Sequence, residues 1–212
     1  MPKTRRADAA RNRDKLLDAA AAVFGERGLD APLEEVARRA GVSIGTLYNH
    51  FPARQDLFDA IFPARLAALD RLAETALADP DPWAGFVAFV EGLVALQAGD
   101  RGLNDVLARR FPLASELSEA CHRGFAHLAR IVERAKEAGR LRGDFETSDV
   151  MPLMWATSQI IRESKDAGPD VWRRFLGFVL DGLRADAAHP LPVPALTPEQ
   201  MAGFMDGPPP GA

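Results

Sequence analysis

The sequence predicts an all-α fold in which a small N-terminal three-helix unit joins a larger helical domain. Three observations predict it. Apolar residues recur at spacings of three and four through almost every segment, alternating β-branched runs are few, and glycine or proline stands where the periodic segments end.

Leu16, Leu17, Ala20, Val23 and Phe24 form one face of a first helix, which Gly25 weakens and Gly28 stops. Leu33, Val36, Ala37 and Ala40 repeat the pattern in a shorter second helix, with Pro32 suited to its first position and Gly41 to its end. A third helix covers about 43–51, before Pro52, and a longer one covers about 54–77, before the two prolines of "ADPDPW". Further helices are expected at about 83–98, 101–110, 115–138, 147–166 and 169–187. Gly99, Phe111-Pro112, "GRLRGD" and "AGPD" separate them, and Thr147 or Ser148 can cap the helix that they open. The tail "HPLPVPALTPEQMAGFMDGPPPGA" reads as an extended strip with room for one short helix after Pro198, then a disordered end. The expected division is a basic flexible arm at 1–10, a three-helix domain at 11–58, a helical domain at 59–188 and a proline-rich tail at 189–212.

Composition narrows the function classes. With 47% hydrophobic and 26% charged residues the chain can bury a real core, and no apolar run approaches the roughly 18 residues of a membrane span. The basic N-terminus has no apolar stretch behind it, so no secretory signal is read and a cytoplasmic protein without membrane partners is expected. A single cysteine, Cys121, forms no intramolecular disulfide, and without a basic partner in sequence it reads as an inert thiol. His122 and His127 are five apart and so lie on different helix faces; neither a metal nor a cofactor is expected. The net charge of −4 carries no global nucleic-acid signal. Locally, however, Lys3, Arg5, Arg6, Arg11, Arg13 and Lys15 face only Asp8 and Asp14, so one end of the chain can hold a polyanion.

The second and third helices with the turn "AGVS" between them make a helix-turn-helix, and Gly41 stands where the chain must reverse. At about 100° per residue Leu47 and Phe51 share one side of the third helix and can pack with Val42. Gly45, Thr46, Asn49 and His50 fall on the other side, with Tyr48 on the flank, and such a helix enters the major groove by its first turns. Gly45 has no side chain to hold the backbone off the bases, and Asn49 can both donate to and accept from a base edge. Tyr48 and His50 suit phosphates. Ser43 can cap the helix and help hold a phosphate, and Arg54 can meet another.

"LEEVARRAGVSIGTLYNHF", preceded by "LLDAAAAVFGERG" and followed by "ARQDLFDAI", resembles the N-terminal domain of the TetR family of transcriptional regulators. The likeness runs from about Arg11 to Ile61, centred on Ala37, Ala40-Gly41-Val42-Ser43, Gly45-Thr46-Leu47-Tyr48 and His50-Phe51. It implies a homodimer that binds a palindromic double-stranded DNA operator, commonly as a repressor, and releases it when a small-molecule effector occupies a C-terminal ligand-binding and dimerisation domain. On this chain the resemblance places Thr46, Tyr48 and His50 on the DNA backbone and Ile44, Gly45 and Asn49 near bases. Arg54 stands where the family usually has Lys. Ala31-Pro32 departs from the Thr or Ser that often caps the second helix, and Ile44 can read only a thymine methyl group. Arg5, Arg6 and Arg11 can add minor-groove or phosphate contacts.

In the larger domain Phe86, Phe89, Val90, Leu93, Leu107, Phe111, Phe125, Leu128 and Trp155 are candidates to line a pocket, with Gln97, Asn104, His122, His127 and Gln159 as polar fixings. The last two long helices carry more apolar surface than one side needs, and the resemblance implies that they pair with their copies as a four-helix bundle. Trp172, Phe175, Leu176, Val179 and Leu183 are the candidates there. A transcriptional activator or a ligand-independent DNA-binding dimer is the alternative. An enzyme using the helical pocket finds little support, since no G-x-S-x-G, phosphate loop or paired His/Glu metal signature is present.

Overall fold

The computed structural model describes residues 2–108, 115–197 and 199–201, with side chains described from Ala7 onward except at 115–118, 120 and 121. Nine helices run in the order α1 (Pro2–Arg27), α2 (Leu33–Ala40), α3 (Ile44–His50), α4 (Arg54–Ala78), α5 (Pro82–Gly99), α6 (Arg101–Ala108), α7 (Ser115–Glu137), α8 (Val150–Ser164) and α9 (Val171–Leu183) among the described residues. Short 3-10 turns occupy Thr147–Asp149 and Ala185–Ala187.

The first helix starts earlier than its apolar stripe. It is continuous from Pro2, so residues expected as a flexible arm are helical, and Arg11 pairs with Asp8 one turn back. Proline at the helix start suits the chain because the N–H it lacks would have no intrahelical acceptor there. The side chains of Arg5 and Arg6 lie outside the described residues, as does Phe111. Pro32 takes the N-cap position of α2, one residue earlier than expected, with extended backbone angles of −60° and 137° and no side-chain cap.

Helix α4 joins the two domains. Its first half packs Leu57, Phe58, Ile61 and Phe62 toward the three-helix unit, and its second half packs against α5 and α7. Pro63 lies inside it and, having no N–H, removes one bond from the intrahelical ladder. The aromatic chain Phe24–Phe58–Phe62, with ring centroids 5.3 and 5.9 Å apart, makes the core of the two domains continuous.

Helix α5 is the centre of the larger domain, touching α4, α6, α7 and α8. Asp81 caps it by accepting from Trp83 N at 2.9 Å. The sequence showed no run long enough to span a membrane, yet α5 reaches that length with a mean hydropathy of 1.2. The buried Phe86, Phe89, Val90, Leu93 and Val94 supply much of that hydropathy, and alanine at the exposed positions 84, 88 and 95 adds to it. At the far end, Arg134 of α7 donates to Ala76 O and Asp79 O and fixes the close of α4.

Neither Thr147 nor Ser148 caps α8. The turn before it is fixed by the Asp149 carboxylate accepting from Glu146 N at 2.9 Å, while Ser148 Oγ donates to Leu196 O at 3.2 Å in the tail. The tail therefore touches the body at Leu196, and its last described residues, 199–201, form a short helical turn. Thr197 and Gln200 cap that turn reciprocally, Gln200 N donating to Thr197 Oγ1 at 3.2 Å and Thr197 N to Gln200 Oε1 at 2.9 Å. Arg142, after α7, gathers three segments. Its guanidinium pairs with Asp144 at 2.6 and 3.0 Å, and donates to Gly182 O at 3.2 Å and His189 O at 2.6 Å.

Candidate nucleic-acid interface

The turn between α2 and α3 follows from local chemistry. Gly41 sits at φ 70°, in the left-handed region that disfavours a Cβ, with its N–H donating to Arg38 O at 3.2 Å. Val42 N donates to Ala37 O at 3.0 Å, which closes the end of α2 and turns the chain. Ser43, extended at φ −71° and ψ 154°, then caps α3 by accepting from Thr46 N at 3.2 Å, and its Oγ meets Thr46 Oγ1 at 2.9 Å. Leu47 and Phe51 are buried beneath α3. Two ion pairs hold α2 on the end of α1. Arg39 forks onto Glu26 at 2.7 and 2.8 Å, and Arg27 meets Glu35, which also faces Arg38 at 3.6 Å. The bond from Arg39 holds the Glu26 carboxyl below its ordinary value and raises the guanidinium.

Fastened in this way, α3 presents Gly45, Tyr48 and Asn49 outward, with Tyr48 47% exposed. Ser43 is exposed too, while Thr46 and His50 are half-buried at its margin. A Cβ on Gly45 would meet only Ser43 Oγ, at 3.9 Å, so the fold does not require glycine there. Glycine inside a helix costs roughly 0.5–1 kcal/mol relative to alanine, and nothing within the described residues offsets it. Ile44 is half-buried and packs on the core, so less of it is open to a base than a free side chain would offer.

Arg54 is placed differently from expectation. Its Nη1 donates to Leu29 O at 2.6 Å and Ala31 O at 2.8 Å, stapling the start of α4 to the turn before α2. That turn has carbonyls without helical donors, which a guanidinium can satisfy. Arg13, not singled out as an interface residue, lies with its guanidinium carbon 5.3 Å from the Phe51 ring centre. It lines an open hollow of about 760 Å³ with His50 and Pro52, beside the end of α3.

In the larger domain the pocket candidates separate. Phe86, Phe89, Val90 and Leu93 are buried; Phe86 stacks on Trp83 at 5.6 Å and meets Phe145 edge-on at 6.0 Å, as core rings do. Leu107, Phe125 and Trp155 are half-buried, His122 and Gln159 are exposed, and Gln159 bonds Glu163 and Arg162. An open groove of about 420 Å³ between α4 and α5 is lined instead by Arg71, Leu72, Thr75, Gly92 and Leu96. Gln97 and Asn104, expected as polar fixings, lie inside the core with Thr157 and Ser158. A buried polar group left unpaired costs about 1–3 kcal/mol. On α9, Trp172 and Leu176, expected at a dimer interface, are already buried within the chain itself. The outer edge is Val171 and Phe178, the latter 63% exposed, with Phe175, Val179 and Leu183 half-buried between. Apolar residues stand at both buried and exposed positions of α9, so periodicity alone does not separate Trp172 and Leu176 from Val171 and Phe178.

One connection had no local sequence signal. The buried Asp105 carboxylate of α6 accepts Leu29 N at 2.9 Å and faces Arg162 of α8 at 3.5 Å. Beside it Gly102 lets α6 approach α1 so closely that a Cβ would stand 3.0 Å from Phe24 O. Arg65 of α4 completes the junction, donating to Ala21 O at 2.6 Å and pairing with Asp100.

Comparison with known proteins matches this geometry to known sequences and folds. Residues 16–61 match the family model described as bacterial regulatory proteins, tetR family, and residues 81–185 that of the transcriptional regulator SbtR-like C-terminal domain. The HTH-type transcriptional regulator TtgW of Pseudomonas putida is 37% identical over 65 residues, 30% of this chain. The match spans only 48% of that regulator's length. The HTH-type transcriptional repressor KstR2 of Rhodococcus jostii is 29% identical over 188 residues, covering 81% of this chain and 90% of that one. The crystal structure of the TetR transcriptional regulator SCO0520 from Streptomyces coelicolor superposes with a TM-score of 0.52 at 31% identity, covering 81% of this chain and 98% of that one.

Proposed function

The chain belongs to the TetR family of bacterial regulators, and on that premise we propose that it is a transcriptional repressor, cytoplasmic and bound to the nucleoid when engaged. As a homodimer it sets two copies of α3 into successive major grooves of a palindromic operator. The observation that carries this is the exposed face of Gly45, Tyr48 and Asn49 on a helix held rigidly by Gly41 and Ser43. Asn49 reads a base edge, Gly45 admits the duplex closely, and Ser43, Tyr48, Thr46 and His50 position the phosphates. Domains at 11–58 and 59–188 divide the labour between DNA and effector.

The effector, a small apolar or amphipathic molecule, acts through two connections. Helix α4 spans both domains, and α6 holds the turn leading into α2 through Asp105 and packs on α1 at Gly102. Recognition helices must sit about 34 Å apart, one DNA turn, so a shift at either connection misplaces the second half-site. A coupling of about 1–3 kcal/mol lowers affinity roughly five- to 150-fold. The test is a gel shift with promoter DNA flanking the gene. Binding that weakens steeply as salt rises supports the proposal, because phosphate contacts release counterions; salt-independent binding opposes it. In a deletion strain, raised expression from that promoter marks a repressor and lost expression an activator.

A further inference from the structure

We infer that the effector's polar end is held by Gln97, Asn104 and Ser158, and that the effector is uncharged. This rests on the effector-site reading above and names its chemistry. The three side chains come from α5, α6 and α8, which pack on one another, and they are 1%, 2% and 0% exposed. Each carries a polar atom without a hydrogen-bond partner: Gln97 Nε2, Asn104 Oδ1 and Ser158 Oγ. Thr157 Oγ1, by contrast, is satisfied by Leu153 O at 2.8 Å, and its 3.4 Å approach to Gln97 Oε1 brings the α5 amide against α8. Buried polar groups in folded proteins are nearly always paired, so three orphans where three helices meet need a partner from outside the chain.

The atoms specify that partner. Gln97 Nε2 needs an acceptor, Asn104 Oδ1 needs a donor, and Ser158 Oγ serves as either. Charge is excluded by the neighbours. Arg162, one turn beyond Ser158, already faces Asp105 at 3.5 Å and donates to Gln159 at 3.2 Å, while Asp105 is the residue after Asn104. A carboxylate ligand would bring a second negative charge beside Asp105, and the guanidinium at hand is already committed. Leu93, Val94 and Met154, one turn before Gln97 and Ser158 on α5 and α8, are buried and apolar, so the rest of the molecule is apolar as well. The class is a neutral head group that accepts one hydrogen bond and donates another, on an apolar body.

Three probes on one frame test this: decanamide, N,N-dimethyldecanamide, which has no donor, and decanoate, which is charged. Each is titrated against the full chain and read by thermal shift, with Gln97→Met and Ser158→Ala as variants. Decanamide should raise the melting temperature progressively with its concentration, the dimethyl amide should bind about tenfold more weakly, and decanoate should give no shift. Without probe both variants should melt no lower than the parent, because each removes an unpaired group, and both should weaken decanamide about tenfold. Equal binding of decanoate, no shift with any probe, or variants that melt lower with unchanged decanamide affinity would each overturn the assignment. A gel shift on the same samples separates the two readings. No DNA binding by the probe-free parent removes the repressor, whereas DNA binding by the probe-free parent together with probe binding that does not depend on Gln97 or Ser158 removes this site alone.

Discussion

The backbone N–H of Leu29 donates to the Asp105 carboxylate across 76 positions of sequence, a 2.9 Å bond between the turn leading into α2 and the middle of α6. Gly28, at φ 84°, lies against the same carboxylate, and a Cβ there would stand 2.5 Å from Asp105 Oδ2. Asp105→Ala is expected to strip a buried donor of its acceptor and cost about 1–3 kcal/mol, read as a lower midpoint in urea. Asp105→Asn keeps an acceptor for Leu29 and should lose less. If α6 transmits occupancy, operator affinity in the alanine variant responds less to effector than in the parent; an unchanged response would assign the bond to stability alone.

Gly45→Ala separates fold from interface. The added methyl group meets open space and improves helix propensity, so the free protein should gain about 0.5–1 kcal/mol. Operator affinity should fall, by about tenfold if the methyl group keeps the backbone off the bases, equivalent to about 1.4 kcal/mol. Thermal melts and gel shifts on one preparation check both signs. A gain in stability with DNA binding intact would show that the groove does not approach this point.

Acid sensitivity follows from three carboxylates. Glu26, Asp144 and Asp186 are held below their ordinary values by hydrogen bonds from Arg39, Arg142 and Arg184. A depressed folded-state value stabilises the fold above the unfolded-state value, about 4, and the contribution is lost as pH falls through the lower folded one. Melting temperature should therefore hold from about pH 7 to about 5 and decline below about 4. Asp144→Asn should melt lower at neutral pH and decline less steeply in acid; a parallel decline would exclude the Arg142 pair as a source.

Phe178→Glu tests whether the exposed edge of α9 joins two copies of the chain. The ring is exposed, with the Arg174 guanidinium 5.0 Å from its centre, so the single chain should fold normally. Sedimentation should show dissociation toward monomer, and operator binding should weaken because the half-sites are no longer held together. Trp172→Ala provides the contrast. That side chain is buried in its own chain, so its loss should cost about 3–5 kcal/mol of stability, read as a lower melting temperature.

What the sequence revealed and what it hid divide by range. Gly41, Ser43 and the apolar stripe of Leu47 and Phe51 act within a few residues of one another, so the turn and the exposure of Gly45 and Asn49 could be read directly, whereas Thr46 and His50, read on the same face, are half-buried. The cap at Thr197 and Gln200 is equally local, and its T-x-x-Q spacing is a signal the sequence reading passed over. The Asp105–Leu29 bond and the Arg54 staple join parts distant in sequence, and no spacing rule reaches them. At α8, Ser148 has the right chemistry for a cap but bonds the returning tail, a competitor that appears only once the chain is folded. Apolar residues stand at both buried and exposed positions of α9, and only burial distinguishes Trp172 from Phe178.

Arg142 has a consequence for synthesis. The carbonyls it holds lie 40 and 47 residues further along, at Gly182 and His189, so a ribosome must add that much more chain before the guanidinium finds them. Domains emerging N-terminal first fold as units. The three-helix unit can thus mature while its neighbour is still open at the bend after α7, and the larger domain closes there only once Gly182 and His189 have emerged.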